Sequence, residues 1–291
     1  MSRLACIFFL IASSTIASAQ DFEKITVRTI PVRGNIQMLQ AEGGNIAVSA
    51  GNDGTLIVDD EYEPMTQKLR TAISALSDHP VNFVINTHWH NDHTGGNEAL
   101  GLAGAIIIAH ENSRKRMASD QIMSLYGPQK AYKPEGLPKI TFSDSMRLHY
   151  NEDVIDVIHV GPAHTDSDAV VFFRTQNILC TGDLFVGYEF RPPYFDDSNG
   201  GSAEGMIRGI ESLIEMTDEK TIVIPGHGDL ASRADLLDYR AKLISIRDLI
   251  KTAISQGRSE DQVVASKPTV GFAIPGKGTD RWVRVVYREY K

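Results

Sequence analysis

One short stretch constrains this chain more than any other: Thr87-His88-Trp89-His90-Asn91-Asp92-His93-Thr94-Gly95-Gly96. Three imidazoles and a carboxylate fall between positions 88 and 93. Imidazole and carboxylate are the usual ligands of a borderline metal such as zinc. The stretch follows Val81 to Asn86, an apolar run that reads as a buried strand, and it ends in two glycines. It therefore predicts a ligand-bearing loop at the C-terminal end of a strand, where α/β sheets commonly place their sites. Burying four such polar side chains together without a partner would be costly. A fold must hold this loop and bring further ligands to it.

The chain has 291 residues, enough for one large domain or two small ones. Residues 1–19 read separately. Arg3 gives a positive start, Leu4 to Ala12 is almost wholly apolar, and Ala17-Ser18-Ala19 fits a small-x-small cleavage pattern. This predicts a secretory signal peptide removed before Gln20, hence a periplasmic or secreted protein. The apolar run is too short to span a bilayer, and no later segment is long and apolar enough for a membrane span. The net charge of −8 offers no clustered positive footprint for nucleic acid. Without its leader the chain keeps one cysteine, Cys180, so no intramolecular disulfide is available. Cys180 reads as a small buried hydrophobe.

Along the chain, Gly51-Asn52-Asp53-Gly54 separates two apolar runs and predicts a β-hairpin. Pro64 opens a helix with Leu69, Ile73 and Leu76 on one face. Glu98 to Leu102 reads as a short helix, Ala105 to Ala109 as a buried strand, and Glu111 to Met123 as a helix. Residues 126–140, rich in proline and glycine, read as a long loop, either a binding lid or a surface excursion. The second half repeats the order: strands at Val154 to Val160, Ala169 to Phe173 and Ile178 to Cys180, and a proline- and aromatic-rich loop at 187–202. A helix follows at Ala203 to Met216, then a strand at Thr221 to Ile224 and a long helix at Ala231 to Gln256. Trp282 to Tyr287 reads as a strand. Strand–helix units occur twice with no linker, which predicts one domain over 20–291. Its class is α/β: an αββα sandwich of two mixed β-sheets flanked by helices.

In an extended loop, His88 and His90 point to the same side and can share one metal. Asp92 and His93, after the chain turns, can face a second. His164, Asp183 and His227 each follow a predicted strand and can converge on the same edge. His79, His110, His149 and His159 read as surface or packed residues, and Trp89 as packing or pocket wall.

These motifs, Thr-His-x-His-x-Asp-His, Gly-Pro-Ala-His-Thr, Thr-Gly-Asp and Pro-Gly-His-Gly in that order, resemble the metallo-β-lactamase superfamily over roughly residues 40–245. The resemblance implies that His88, His90 and His164 hold a first metal. It implies that Asp92, His93 and His227 hold a second, with Asp183 bridging both. Two Zn2+ ions, or other divalent metals, would then share a water and lower its pKa toward neutrality. The hydroxide would cleave an ester, lactone, thioester or amide bond of a small-molecule substrate, with Asp92 orienting it and accepting its proton.

The second-half wording is similar to zinc β-lactamases that use a cysteine ligand, but Asp183 occupies that cysteine's place. Where those enzymes usually carry a lysine for the drug's carboxylate, this chain has Val186. The expectation is weak or promiscuous β-lactamase activity. The short tail also lacks the helical substrate domain of glyoxalase II. Two other readings stay open: a mononuclear iron dioxygenase-type member, and a non-catalytic metal-binding member of the same fold. The sequence carries no signal for an oligomeric state.

Overall fold

A computed structural model describes residues 21–123, 127–187, 194–271 and 277–291. The predicted leader lies outside the described residues, as do parts of the two long loops. In chain order the first half runs β1 (Arg28–Arg33), β2 (Ile36–Gln40), β3 (Ile46–Gly51), β4 (Gly54–Val58), α1 (Thr66–Ser74), β5 (Val81–Ile85), α2 (Asn91–Thr94), α3 (Asn97–Leu102), β6 (Ile106–His110) and α4 (Glu111–Met117). A small ribbon of β7 (Gln121–Met123) and β8 (Gly127–Gln129) precedes β9 (Ile140–Phe142). The second half has β10 (Ser145–Tyr150), β11 (Asp153–His159), β12 (Ala169–Phe173), β13 (Ile178–Cys180), β14 (Val186–Gly187), α5 (Ala203–Met216), β15 (Ile222–Ile224), β16 (His227–Gly228) and β17 (Ala231–Ser232). It closes with α6 (Arg233–Ser255), α7 (Glu260–Ala265) and α8 (Lys277–Tyr290).

The first sheet has the order β1-β2-β3-β4-β5-β6-β9. It is antiparallel through β4, then parallel from β4 to β9. The second sheet, β10-β11-β12-β13-β15-β17, is antiparallel except between β13 and β15. Alternation along each strand decides how they stack. Met38, Val58, Ile85 and Ile108 face Ile155, Val171, Phe173, Cys180 and Ile224 between the sheets. The opposite faces carry Val48, Ile57 and Val84 against Leu69 and Ile73 of α1, and Val170, Leu179 and Val223 against α5, α6 and α8. Each fully buried side chain of this kind stabilises the fold by roughly 1.5–3 kcal/mol. The architecture is the expected αββα sandwich.

Within the stretch read as a loop at 126–140, Gly127–Gln129 is a strand, and the long helix read from Ala231 starts at Arg233 behind the strand Ala231–Ser232. Three larger departures stand out. The helix expected over Glu111–Met123 ends at Met117, and Gln121–Met123 is a strand. The Gln121 amide folds back to donate to the carbonyls of Arg116 and Ser119, and Asp120 accepts from the Ala131 amide, so local hydrogen bonds end the helix. Trp282 to Tyr287 belongs to a helix, not a strand. Its buried residues, Trp282, Val283, Val286 and Tyr287, follow helical spacing and pack into the cluster around α6. Packing of that face overrides the strand preference of its valines and aromatics. Ser145–Tyr150, an edge strand alternating between exposed and half-buried residues, was not foreseen. Cys180 is buried in the inter-sheet core, as expected.

α8 also braces the site. The Glu289 carboxylate caps α5 by accepting from the Ser202 hydroxyl and the amides of Ala203 and Glu204. The Trp282 ring stands edge-on to Phe195, within the segment that reaches the histidines described next.

Candidate metal centre

β4 is followed directly by three consecutive buried acids, Asp59, Asp60 and Glu61. Their carboxylates hold the loops around them. Asp59 accepts from the Thr87 amide at 2.7 Å, the Thr87 hydroxyl at 2.8 Å and His93 Nδ1 at 2.9 Å. Asp60 accepts from the Gly96 amide. Glu61 accepts from the amides of Glu42, Gly43 and Tyr62. The hairpin turn at Gly43-Gly44 thereby lies against the ligand loop, and the Gly44 amide donates to the Asp92 carbonyl. A Cβ on Gly44 would stand 2.4 Å from His93, so this approach requires glycine.

β5 delivers Thr87 and His88. His90 is extended, and the chain then turns through the single helical turn α2. Trp89 points away into a cluster with Met117 and Met123, as its alternation predicts. From the second half, the turn after β11 brings His164. A tight turn beyond β13 brings Asp183. The Gly226 amide donates to the Gly182 carbonyl and sets His227 beside them.

All seven sequence-predicted residues converge. His88, His90 and His164 form one group; His88, His93 and Asp183 a second; Asp92, His93 and His227 a third. Within each group the potential ligand atoms lie within 4.8 Å of one another. His79, His110, His149 and His159 belong to none of these groups among the described residues. His110 and His159 stack on each other, ring centroids 3.8 Å apart.

The outer nitrogens of four imidazoles reveal what the inner ones do. His164 Nδ1 meets the Tyr194 carbonyl at 2.7 Å, His90 Nε2 meets Asp196 Oδ2 at 3.4 Å, and His93 Nδ1 meets Asp59. His88 Nδ1 lies 3.1 Å from the Thr87 hydroxyl, which already donates to Asp59. Each outer nitrogen therefore carries the proton, because its partner can only accept. The inner nitrogens of His88, His90 and His164 are left as lone pairs, whereas His93 Nε2 faces Asp183 at 3.2 Å, and the surrounding carboxylates, Asp183 foremost, raise that imidazole well above its usual range against burial. The three lone pairs face one another: His88 Nε2 to His90 Nδ1 at 3.1 Å, and His164 Nε2 to His90 Nδ1 at 3.0 Å. Lone pairs aimed together repel unless a cation sits among them. Zinc–nitrogen bonds of about 2.0–2.1 Å in a tetrahedral site imply nitrogens roughly 3.3 Å apart, close to what is seen.

The other half of the centre is acidic. His227 Nε2 lies 3.3 Å from Asp92 and 3.4 Å from Asp183, and His93 Nε2 lies 3.2 Å from Asp183. Asp183 Oδ1 is nevertheless buried without a well-formed hydrogen bond. Burial depresses the His88 imidazole well below its usual range, reinforced by its histidine neighbours. Burial likewise lowers His164, against the pull of Asp183, to about 4. Around His227 burial acts downward too, but Asp183 and Asp92 overcome it and push the imidazole up to about 10. For Asp92 burial acts upward, yet His93 and His227 bring the carboxyl down to about 2. The acids thus demand positive charge at this spot. The donor set fits divalent metal ions: neutral imidazoles on one side, carboxylates on the other, and outer hydrogen bonds of the kind that orient metal-bound histidines.

Sequence reasoning missed the outer partners Asp59, Asp168 and Asp196. Asp168 accepts from the amides of His164 and Thr165 and holds that loop. The one signal available was the acid run Asp59-Asp60-Glu61 directly after an apolar strand.

The chain belongs to the metallo-beta-lactamase superfamily, whose family model matches residues 40–227. It is 25% identical over 212 residues to a hydroxyacylglutathione hydrolase of Polaromonas sp., covering 69% of this chain and 72% of that one. It is 23% identical over 203 residues to a metallo-beta-lactamase type 2 of Bacillus cereus, covering 68% and 72%. In structure it is similar to a metallo-beta-lactamase from Pontibacter korlensis, with TM-score 0.62 and 20% identity over 75% of this chain and 99% of that one. These relatives are mostly hydrolases, and the last comparison speaks for the fold. Among the described residues no helix is long and apolar enough to cross a membrane.

Proposed function

We propose that this chain is a metal-dependent hydrolase that cleaves an ester, lactone, thioester or amide bond in a small molecule. The observation that carries the reading is the set of inward lone pairs on His88, His90 and His164, each fixed by an outer hydrogen bond, beside the carboxylates of Asp92 and Asp183. His88, His90 and His164 would hold one divalent ion. Asp92, His93 and His227 would hold a second, with Asp183 between them. When bound, such ions acidify a water and draw electron density from a carbonyl.

The residues themselves do the rest. His88, His90, His93 and His164 are almost sealed, whereas the side chains of Asp92, Asp183 and His227 keep 19%, 13% and 15% exposure. A substrate therefore approaches on the Asp92–His227 side. There Asp92, held as carboxylate, orients the attacking water and takes up its proton. His227 beside it steadies that carboxylate at 3.3 Å.

Asp183 at the place of the cysteine ligand, and Val186 at that of the lysine, support a hydrolase with modest β-lactamase activity. Val186 packs against the apolar cluster around α6 and offers no charge to a β-lactam carboxylate. A lost charged hydrogen bond of about 1.5–3 kcal/mol corresponds to roughly ten- to a hundredfold in kcat/KM. The same reading includes export, with cleavage before Gln20. Mass spectrometry of protein from its native host tests that; an intact Met1 on cytoplasmic protein overturns it.

The deciding experiment pairs metal analysis with turnover of an ester, lactone, thioester and β-lactam panel. Two divalent ions per chain and chelator-sensitive turnover are expected. One ion per chain at saturation overturns the dinuclear reading, and no turnover across the panel overturns the hydrolase.

A further inference from the structure

Beside the ligand loop, with none of the seven metal-site residues in its lining, lies an open groove of about 520 Å³. That is within the range of sites that take small organic ligands. Its inner wall is the loop itself: Asn91, between His90 and Asp92, and Gly95, just past His93, both line it. Its outer walls are rings. Phe22 and Tyr62 stand edge to face with centroids 5.6 Å apart, and Tyr132, Pro64 and Pro128 complete the lining.

These walls are built, not incidental. The Lys68 ammonium donates to the carbonyls of Phe22, Glu23 and Ile25 at 2.7–2.8 Å. It clamps the backbone of residues 22–25, from which the Phe22 ring projects against Tyr62. The Tyr132 hydroxyl meets Thr94 Oγ1 at 2.6 Å, and that hydroxyl donates in turn to the His90 carbonyl. The Tyr132 ring is thereby tied to the ligand loop, with its polar end already used. The Gln129 amide is likewise turned away, onto the Trp89 carbonyl.

The charges at the rim select against anions. Lys130 is paired with Asp120 at 2.6 Å and Lys133 with Glu98 at 2.8 Å. Glu63 adds a further carboxylate to the lining. Rings without an uncommitted cation suit an uncharged aromatic group, which gains from offset and edge-to-face contacts.

We infer that this groove is a subsite for a neutral aromatic part of the substrate, assembled by the Lys68-clamped segment at Phe22 and coupled to the metal loop through Tyr132 and Thr94. The inference rests on the hydrolase reading for its catalytic meaning, but the binding site is testable by itself. Binding energy from such a remote group can be used in the reaction only if the group is held in register with the reacting bond.

The test uses the metal-loaded full chain and two variants outside the metal centre, Ala131→Trp, which fills the groove, and Phe22→Ala, which removes a wall. Naphthalene is the binding probe, because it has no atom that ligates a metal. Saturable one-to-one binding by fluorescence is expected for the wild type, weakened about tenfold or more in both variants. The kcat/KM ratio of 2-naphthyl acetate over methyl acetate should fall by a similar factor, with methyl acetate turnover unchanged. If one variant fails to fold, the other decides. Naphthalene binding without hydrolysis of either ester leaves the subsite standing and overturns the hydrolase. Hydrolysis with binding and ratio unchanged in the variants overturns the subsite and leaves the hydrolase.

Discussion

Asp59 Oδ2 accepts the Nδ1 proton of His93 at 2.9 Å, and the same oxygen takes the hydroxyl proton of Thr87 at 2.8 Å. One carboxylate therefore orients two imidazoles, His93 directly and His88 through Thr87. Asp59 does this from a left-handed backbone conformation, φ +62°, which aspartate tolerates better than most residues.

Asp59→Asn keeps that shape and loses the charge. Metal affinity should fall roughly 10–100-fold, as removal of such an outer partner generally does. Competition against a chromophoric chelator measures it, and circular dichroism checks the fold. An unchanged affinity would sink the relay.

Asp92→Ala should leave the fold intact and cut kcat by about 10²–10⁴, the usual worth of a positioned proton acceptor. Steady-state kinetics on whichever panel substrate is turned over, with metal content measured alongside, gives the answer. Full activity in a metal-replete variant would remove Asp92 from the mechanism.

Gly226→Ala should damage the centre from the backbone side. The added Cβ would lie 2.0 Å from Asp183 Oδ1 and 2.6 Å from the Gly182 carbonyl carbon. Neither can move without shifting the turn that carries Asp183. Overpacking of this kind costs about 1–3 kcal/mol. Thermal melts should drop and metal content should fall; wild-type values for both would contradict the structure.

Acid stability should depend on Asp156, far from the centre. Arg147, and then Arg174, hold its carboxyl below the ordinary range against the opposing effect of burial. A depressed folded value means that the unfolded chain takes up the proton first. The stabilisation is complete above the unfolded carboxylate pKa and is lost as pH falls through the folded one. Asp156→Asn should be less stable at neutral pH by about 1 kcal/mol, a figure kept low because both arginines are largely solvated. The gap should close under acid. Urea melts at about pH 7 and about pH 3 compare the two; a constant gap would refute the linkage.

The ligand loop was legible in the sequence because its information is local. Six residues from His88 to His93 behind an apolar strand suffice to announce a metal-type cluster. The later motifs around His164, Asp183 and His227 were legible as strand-end loops for the same reason. Two repeats of strand and helix, each with one apolar face, likewise announced the sandwich. What only the tertiary structure decided depends on residues far apart in sequence. Asp59 meets His93 across 34 positions and Asp196 meets His90 across 106. No local pattern encodes such pairs; they exist because two sheets stack and bring their strand ends to one edge. The same holds for α8. Its valines and aromatics favour a strand by composition, and it is a helix because Trp282, Val283, Val286 and Tyr287 find a single apolar face to bury against α6.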